Sequence, residues 1–129
     1  MIPKLRAWDK NTNDMVNVKT IDLEKDGSIG CIVDYNGINL DVSECVLMQS
    51  TGLKDKNGVE SWEGNYLTKE GCWPFFIKWI ENEGCLMAVP VNSIQKTNWK
   101  PVSVKELLDK GYVNNSNIYE NPELLEGTE

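Results

Sequence analysis

The chain contains no histidine, and no hydrophobic run in it approaches the roughly 20 residues that a bilayer-spanning helix requires. The first absence removes Ser-His and Cys-His nucleophile pairs. It also removes the side chain whose ordinary pKa suits proton transfer near neutrality. The second argues against membrane insertion, and the N-terminus lacks the charged-then-apolar order of a secretory signal. A cytoplasmic protein is expected. Cysteine is sparse and scattered: Cys31, Cys45, Cys72 and Cys85 form no C-x-x-C pair. Structural zinc sites use closely spaced Cys and His ligands, so no metal and no cofactor is expected. In a reducing compartment these four read as small, buried or half-buried thiols. Basic residues are also in deficit, with Lys+Arg 13 against Asp+Glu 20 and a formal net charge of −7. Nucleic-acid binding draws much of its affinity from neutralised phosphates, so this balance makes a DNA or RNA partner unlikely.

What is present is turn chemistry. Asp26-Gly27, Asn36-Gly37 and Asn57-Gly58 are turn dipeptides set between short β-branched or alternating apolar runs. Leu5 to Trp8 reads as a first strand, residues 10–14 as a polar turn, and Met15 to Leu23 as a second strand. Ile29, Ile32 and Val33 belong to a third. After the Asn36-Gly37 hairpin, Ile38, Leu40 and Val42 share a face, and Cys45 to Gln49 forms a compact apolar strand. Asn36-Gly37 is a two-residue hairpin signal, and Asn57-Gly58 closes the next hairpin, Asn and Gly both tolerating positive φ at the tip. Trp73, Phe75, Ile77 and Trp79 alternate with period two, which predicts a half-buried strand. Pro90, lacking a ladder donor, belongs at an edge or strand end. Ser103-Val104-Lys105-Glu106 fits a capping box before a two-turn helix that stops near Gly111. Asn121 as cap with Pro122 at the first helical position predicts a last helical turn, which Leu124 and Leu125 would dock. No internal repeat and no interdomain linker is evident. Successive hairpins rather than alternating strand and helix define a mainly β, β-rich α+β chain.

Three stretches, in order, resemble the YopX-like family of small phage and prophage proteins. The first is Pro3-Lys4-Leu5-Arg6-Ala7-Trp8-Asp9; the second runs from Met48-Gln49-Ser50-Thr51 through Gly52, Leu53, Asp55, Asn57 and Gly58. The third is Asn117-Ile118-Tyr119-Glu120-Asn121-Pro122-Glu123-Leu124-Leu125. The resemblance spans nearly the whole chain. It implies a single YopX-like domain over 1–129, with a β-hairpin region over about 1–50 and a small SH3-like barrel over about 51–129. One or two short C-terminal helices complete that expectation. Where the family has Glu-Gly-Asp, this chain reads Glu63-Gly64-Asn65, followed by Tyr66 in place of a β-branched residue. Where the family has Gly before Asn-Ile-Tyr, this chain has Ser116. The resemblance carries a bacterial-host cytoplasmic setting but no established activity.

Function is therefore read from side chains. The motif residues Trp8, Gly52, Leu53, Asp55, Asn57, Gly58, Glu63, Gly64, Ile118, Tyr119, Asn121 and Pro122 are assigned to folding. The leading expectation is a non-enzymatic accessory protein that binds an unidentified host or phage protein. One alternative is a carboxylate- or metal-dependent hydrolase using Asp55, Glu60 and Glu63. The other is single-stranded nucleic-acid binding through Trp62, Tyr66 and Trp73, whose rings would stack on bases. Open edge strands also make a homo-oligomer an expectation.

Overall fold

The computed structural model describes residues 4–91 and 100–123. The chain is mainly β, with two antiparallel sheets and, among the described residues, one α-helix. It divides into two compact units, Met1–Gln49 and Ser50–Glu129, so the boundary falls within one strand, β5 (Cys45–Lys54).

In the first unit the strands are β1 (Leu5–Asp9), β2 (Asp14–Leu23), β3 (Ile29–Asp34), β4 (Asn39–Asp41) and the opening half of β5. They lie in the order β4-β3-β2-β1-β5. Ile21, Ile32 and Leu40 sit opposite one another across three strands. Ala7, Ile32, Leu40 and Cys45 are buried there, with Val16, Val18, Ile29 and Leu47 packed against them. Between β4 and β5 a single 3₁₀ turn, Val42–Glu44, carries a capping box that the sequence reading passed over. Asp41 Oδ1 accepts from Ser43 N at 2.9 Å, and Glu44 Oε1 accepts from Asp41 N at 3.1 Å.

The second unit contains the rest of β5, then β6 (Glu60–Trp62), β7 (Asn65–Thr68), β8 (Phe75–Ile80), β9 (Cys85–Pro90), α1 (Val104–Asp109) and β10 (Val113–Asn117). Four of its strands form a sheet ordered β10-β7-β8-β9. One face is apolar because side chains alternate along each strand. Leu67, Ile77 and Ala88 from that face meet Val104, Leu107 and Tyr112, with Leu53, Phe75 and Leu86 packed around them. Ser103 caps α1, its Oγ accepting from Glu106 N at 3.4 Å. The expected reciprocal partner, Glu106, instead pairs with Lys110 at 3.2 Å. Gly111 ends the helix at φ 101.

The expected barrel is not formed: among the described residues no sheet closes on itself. The reason lies at the margins of the four-stranded sheet. On β9, Ala88 exchanges two 2.8 Å bonds with Val102, and Pro90, the last residue of the strand, offers no N–H. On β10, the Asn114 N–H is held by Asp55 Oδ2 at 2.9 Å. Both margins are thus engaged by something other than each other. Of the predicted second helix, Pro122 lies in a turn and Glu123 is helical, while Leu124 and Leu125, like Pro3, fall outside the described residues.

The hairpin tips also differ from the two-residue form. In Asp34-Tyr35-Asn36-Gly37-Ile38, Asp34 N donates to Ile38 O at 3.0 Å and Gly37 N to Asp34 O at 3.1 Å. In Asp55-Lys56-Asn57-Gly58-Val59 the same two bonds are both 2.9 Å, and Glu24-Lys25-Asp26-Gly27-Ser28 repeats the pattern at 2.7 and 2.9 Å. Only the glycine is left-handed, as in a three-residue loop built from a type I turn and a glycine bulge. A Cβ on Gly58 would meet no atom within 4 Å, so its φ of +82° is the whole constraint. Gly58→Val should therefore lower stability by about 1–3 kcal/mol through backbone strain alone. Chemical denaturation reads this directly; an unchanged midpoint would show that the loop tolerates a β-branched residue.

Candidate functional site

The densest polar arrangement in the second unit surrounds Asp55, at the base of the hairpin loop that joins β5 to β6. Asp55 is only 6% exposed. Its Oδ1 accepts from Asn57 N at 2.9 Å and Val59 N at 3.0 Å, which shapes the loop. Its Oδ2 accepts from Asn114 N at 2.9 Å and Asn114 Nδ2 at 3.0 Å, which ties the loop to β10. Asn114 Nδ2 also donates to Val59 O at 3.1 Å. Its Oδ1 accepts from Asn65 Nδ2 at 3.0 Å, and that nitrogen reaches Glu60 O at 3.4 Å.

Burial raises the Asp55 pKa, but the bonds from Asn114, Val59 and Asn57 favour the ionised form and more than offset it. The carboxyl is held below its ordinary value. Chemically, a carboxylate with two N–H donors on each oxygen is a poor base and has no lone pair aimed at a substrate. It is built to hold two chain segments together.

A second polar cluster orders the turn after β10. Asn117 Oδ1 accepts from Tyr119 N at 3.0 Å and Glu120 N at 2.9 Å, while Asn117 Nδ2 donates to Glu120 Oε1 at 2.8 Å. Asn121 was the expected cap; its Nδ2 instead donates to Glu123 Oε2 at 3.1 Å, and its Oδ1 accepts from the Ser116 hydroxyl. Ser116 sits at φ 69, the left-handed region in which glycine is at ease. The backbone shape that a glycine would favour is thus present here with serine, and its hydroxyl adds a bond that glycine lacks.

The other singled-out residues are placed as follows. Tyr66 is 2% exposed, and its hydroxyl donates to Asn121 O at 3.0 Å, so its ring is inside the unit. Trp62 is half-buried in β6, whereas Trp73 is 45% exposed with its Nε1 donating to Val91 O at 2.9 Å. The three rings therefore do not form one exposed platform. Trp8 is half-buried on β1, opposite Met15 and Val46. Leu53 packs on the core, and Gly52 and Gly64 adopt φ 79 and 92. Gly64 is buried, its N–H donating to Ile77 O at 2.7 Å and its carbonyl accepting from Ile118 N at 2.9 Å. Glu63 and Tyr119 are half-buried, and Asn57 and Pro122 exposed. Glu60 accepts from the Ser50 hydroxyl. Among the described residues no group of His, Cys, Asp and Glu is arranged to hold a metal ion. Cys45 is buried and Cys31 half-buried as expected, but Cys72, in the bend before β8, and Cys85, the first residue of β9, are exposed. Burial raises the Cys45 thiol pKa. A shallow groove of about 430 Å³ is lined by Lys56, Asn57, Thr68, Lys69, Glu70, Gly111 and Val113. Lys69 Nζ is committed to Lys110 O at 2.6 Å.

Sequence reasoning missed Asn114 and quoted Asn117 only as the start of the third stretch, without its bonding role. Their signal was compositional, since asparagine is depleted in strands and Asn114-Asn115-Ser116-Asn117 lies within one.

Fold and site together define a small mainly β protein whose motif residues secure turns and strand margins. The model of the YopX protein family matches residues 4–126, and the chain belongs to that family. A solved structure, protein EF1440 from Enterococcus faecalis, is similar at 29% identity and a TM-score of 0.70, covering 98% of this chain and 99% of that one. No curated protein matches. No helix among the described residues is long and apolar enough to cross a membrane.

Two outcomes follow from this wiring. Because the folded pKa of Asp55 lies below the unfolded value, its contribution is present at neutral pH and lost as pH falls through the folded pKa. Asp55→Asn should cost about 1–3 kcal/mol at pH 7, with the deficit shrinking in acid as the wild-type carboxylate protonates. Urea titrations at neutral and acid pH test this, and a deficit independent of pH would contradict it. Asn65→Asp would face Asn114 Oδ1 and Glu60 O with an acceptor instead of a donor. It should also lose about 1–3 kcal/mol at neutral pH, recovering as the new carboxyl protonates; equal stability at pH 7 would show that Asn114 reorients at no cost.

Proposed function

We propose that this YopX-family chain is a non-enzymatic accessory protein of phage or prophage origin, working in the cytoplasm of a bacterial host by binding another protein. The observation that carries the reading is where apolar surface remains uncovered. Of the exposed large apolar side chains, Ile21, Leu23, Tyr35, Ile38 and Val42 all belong to the stretch from β2 to the 3₁₀ turn after β4. Leu23, 64% exposed, and Ile21 continue the face whose inner members Val18 and Ile32 line the core of that unit. Tyr35 and Ile38, 69% and 53% exposed, flank the next loop tip. Leu23 lies beside the start of β3 and Tyr35 and Ile38 beyond its end, so exposed apolar side chains mark both ends of that strand, with acidic neighbours such as Asp22 and Glu24. Such exposed apolar surface with polar neighbours supports a recognition role. By contrast, the carboxylate best placed for chemistry, Asp55, is fully engaged in holding the fold.

The test is comparative capture from lysogenic or infected host lysate. Wild-type protein should retain a stoichiometric partner that a Leu23→Glu, Ile38→Glu variant of unchanged melting midpoint loses. Identical captures by both proteins, or turnover of a phosphate-ester or glycoside reporter by purified chain, would overturn the reading.

A further inference from the structure

The two Asn-Gly steps share one loop geometry but are anchored differently, and asparagine before glycine has a chemistry of its own. The glycine nitrogen, once deprotonated by solvent hydroxide, can attack the asparagine side-chain carbonyl carbon. A new C–N bond forms, the bond to the amide nitrogen breaks, and ammonia leaves with a proton from water. The resulting five-membered succinimide then takes up one water at either carbonyl, giving aspartate or isoaspartate. No oxidant, reductant or cofactor enters. The attack requires the glycine N–H to be free and the asparagine ψ to rotate out of the turn.

Neither condition is met in the closed loops. Gly37 N donates to Asp34 O at 3.1 Å, and Gly58 N donates to Asp55 O at 2.9 Å. Both asparagines are exposed, so water reaches either side chain. Reaction must therefore proceed through transient opening of the loop, and the rate follows the opening equilibrium. In this respect the loops differ. Asp34 Oδ1 accepts from Asn36 N at 2.8 Å and Ile38 N at 2.9 Å, and among the described residues no side chain from elsewhere bonds to the loop 34–38. The loop 55–59 adds three bonds from Asn114: two to Asp55 Oδ2 and one to Val59 O.

We propose that Asn36 is a site of spontaneous deamidation in the folded protein and that Asn57 is protected from it by the Asn114 anchor. The first loop shows what the aspartate product would look like. Asp26 occupies the corresponding position before Gly27, with its Oδ1 accepting from Ser28 N at 2.9 Å and Ser28 Oγ at 2.6 Å. Aspartate thus fits this loop type. Conversion at Asn36 would take the net charge from −7 to −8, between exposed Tyr35 and Ile38. Isoaspartate, with an extra backbone carbon, would not preserve the loop's two closing bonds.

The experiment is peptide mapping by mass spectrometry of folded full-length chain held at pH 8.5 and 37 °C, with the urea-unfolded chain as reference. Asn36 is expected to convert faster than Asn57 by about tenfold or more, the factor set by roughly one net charged hydrogen bond broken on opening. In urea the two sites should converge. Amide exchange provides an independent reading: Gly37 N–H should exchange faster than Gly58 N–H. A folded Asn114→Ala variant should raise the Asn57 rate and leave Asn36 unchanged. Equal rates in the folded chain, faster conversion at Asn57, or no conversion at Asn36 while the unfolded chain converts would each overturn the proposal. An Asn57 rate insensitive to Asn114→Ala would refute the anchor.

Discussion

One buried carboxylate organises the second unit. Asp55 follows β5 directly, shapes the loop it opens and fixes β10 at Asn114, 59 residues further along the chain. Oδ1 serves the loop and Oδ2 serves β10, so an amide in place of Asp55 would lose at least one of the two sets of bonds. Its burial would be costly for an isolated ion, because desolvation opposes the charge. Four N–H donors reverse that balance, as the lowered pKa records. Asn114 is the matching partner: an amide can donate to Asp55 while accepting from Asn65, and a carboxylate or a hydroxyl in its place could do only part of this.

The sequence was most legible where glycine marks a corner. Asp26-Gly27, Asn36-Gly37, Asn57-Gly58 and Gly111 all fall where left-handed backbone ends one element and begins another. Strand β8 was readable by alternation, yet its apolar face is longer than its cover. Ile77 is buried while Trp73 and Trp79 at the margins remain exposed, a distinction that periodicity cannot carry. Loop type was misread because the dipeptide was given the role that the preceding aspartate plays, its Oδ1 bonding residues two and four positions on. Sheet closure was the least legible property. It depends on whether distant edges find one another, and here the Asp55 side chain from the β5–β6 loop and the isolated Val102 bridge occupy those edges.

Family membership and a similar solved structure agree on a mainly β architecture, and Asn65 and Ser116 show how local polar bonds support it. Asn65 retains a buried polar group by donating where its neighbours accept. Ser116 keeps a left-handed backbone. Among the described residues, the exposed large apolar side chains Ile21, Leu23, Tyr35, Ile38 and Val42 lie in the first unit, and Val59, Trp73 and Trp79 in the second.

The occupied margins of the four-stranded sheet have a bearing on colloidal behaviour. An open strand edge is a template on which a stray extended segment, or another molecule's strand, can nucleate a growing stack. On β9 the Val102 bridge takes Ala88, and Pro90 supplies no donor; on β10 a carboxylate caps the Asn114 amide. In a polypeptide so rich in sheet and tryptophan, one ladder position on each of these two borders is thereby taken by the chain's own atoms before a foreign strand can use it.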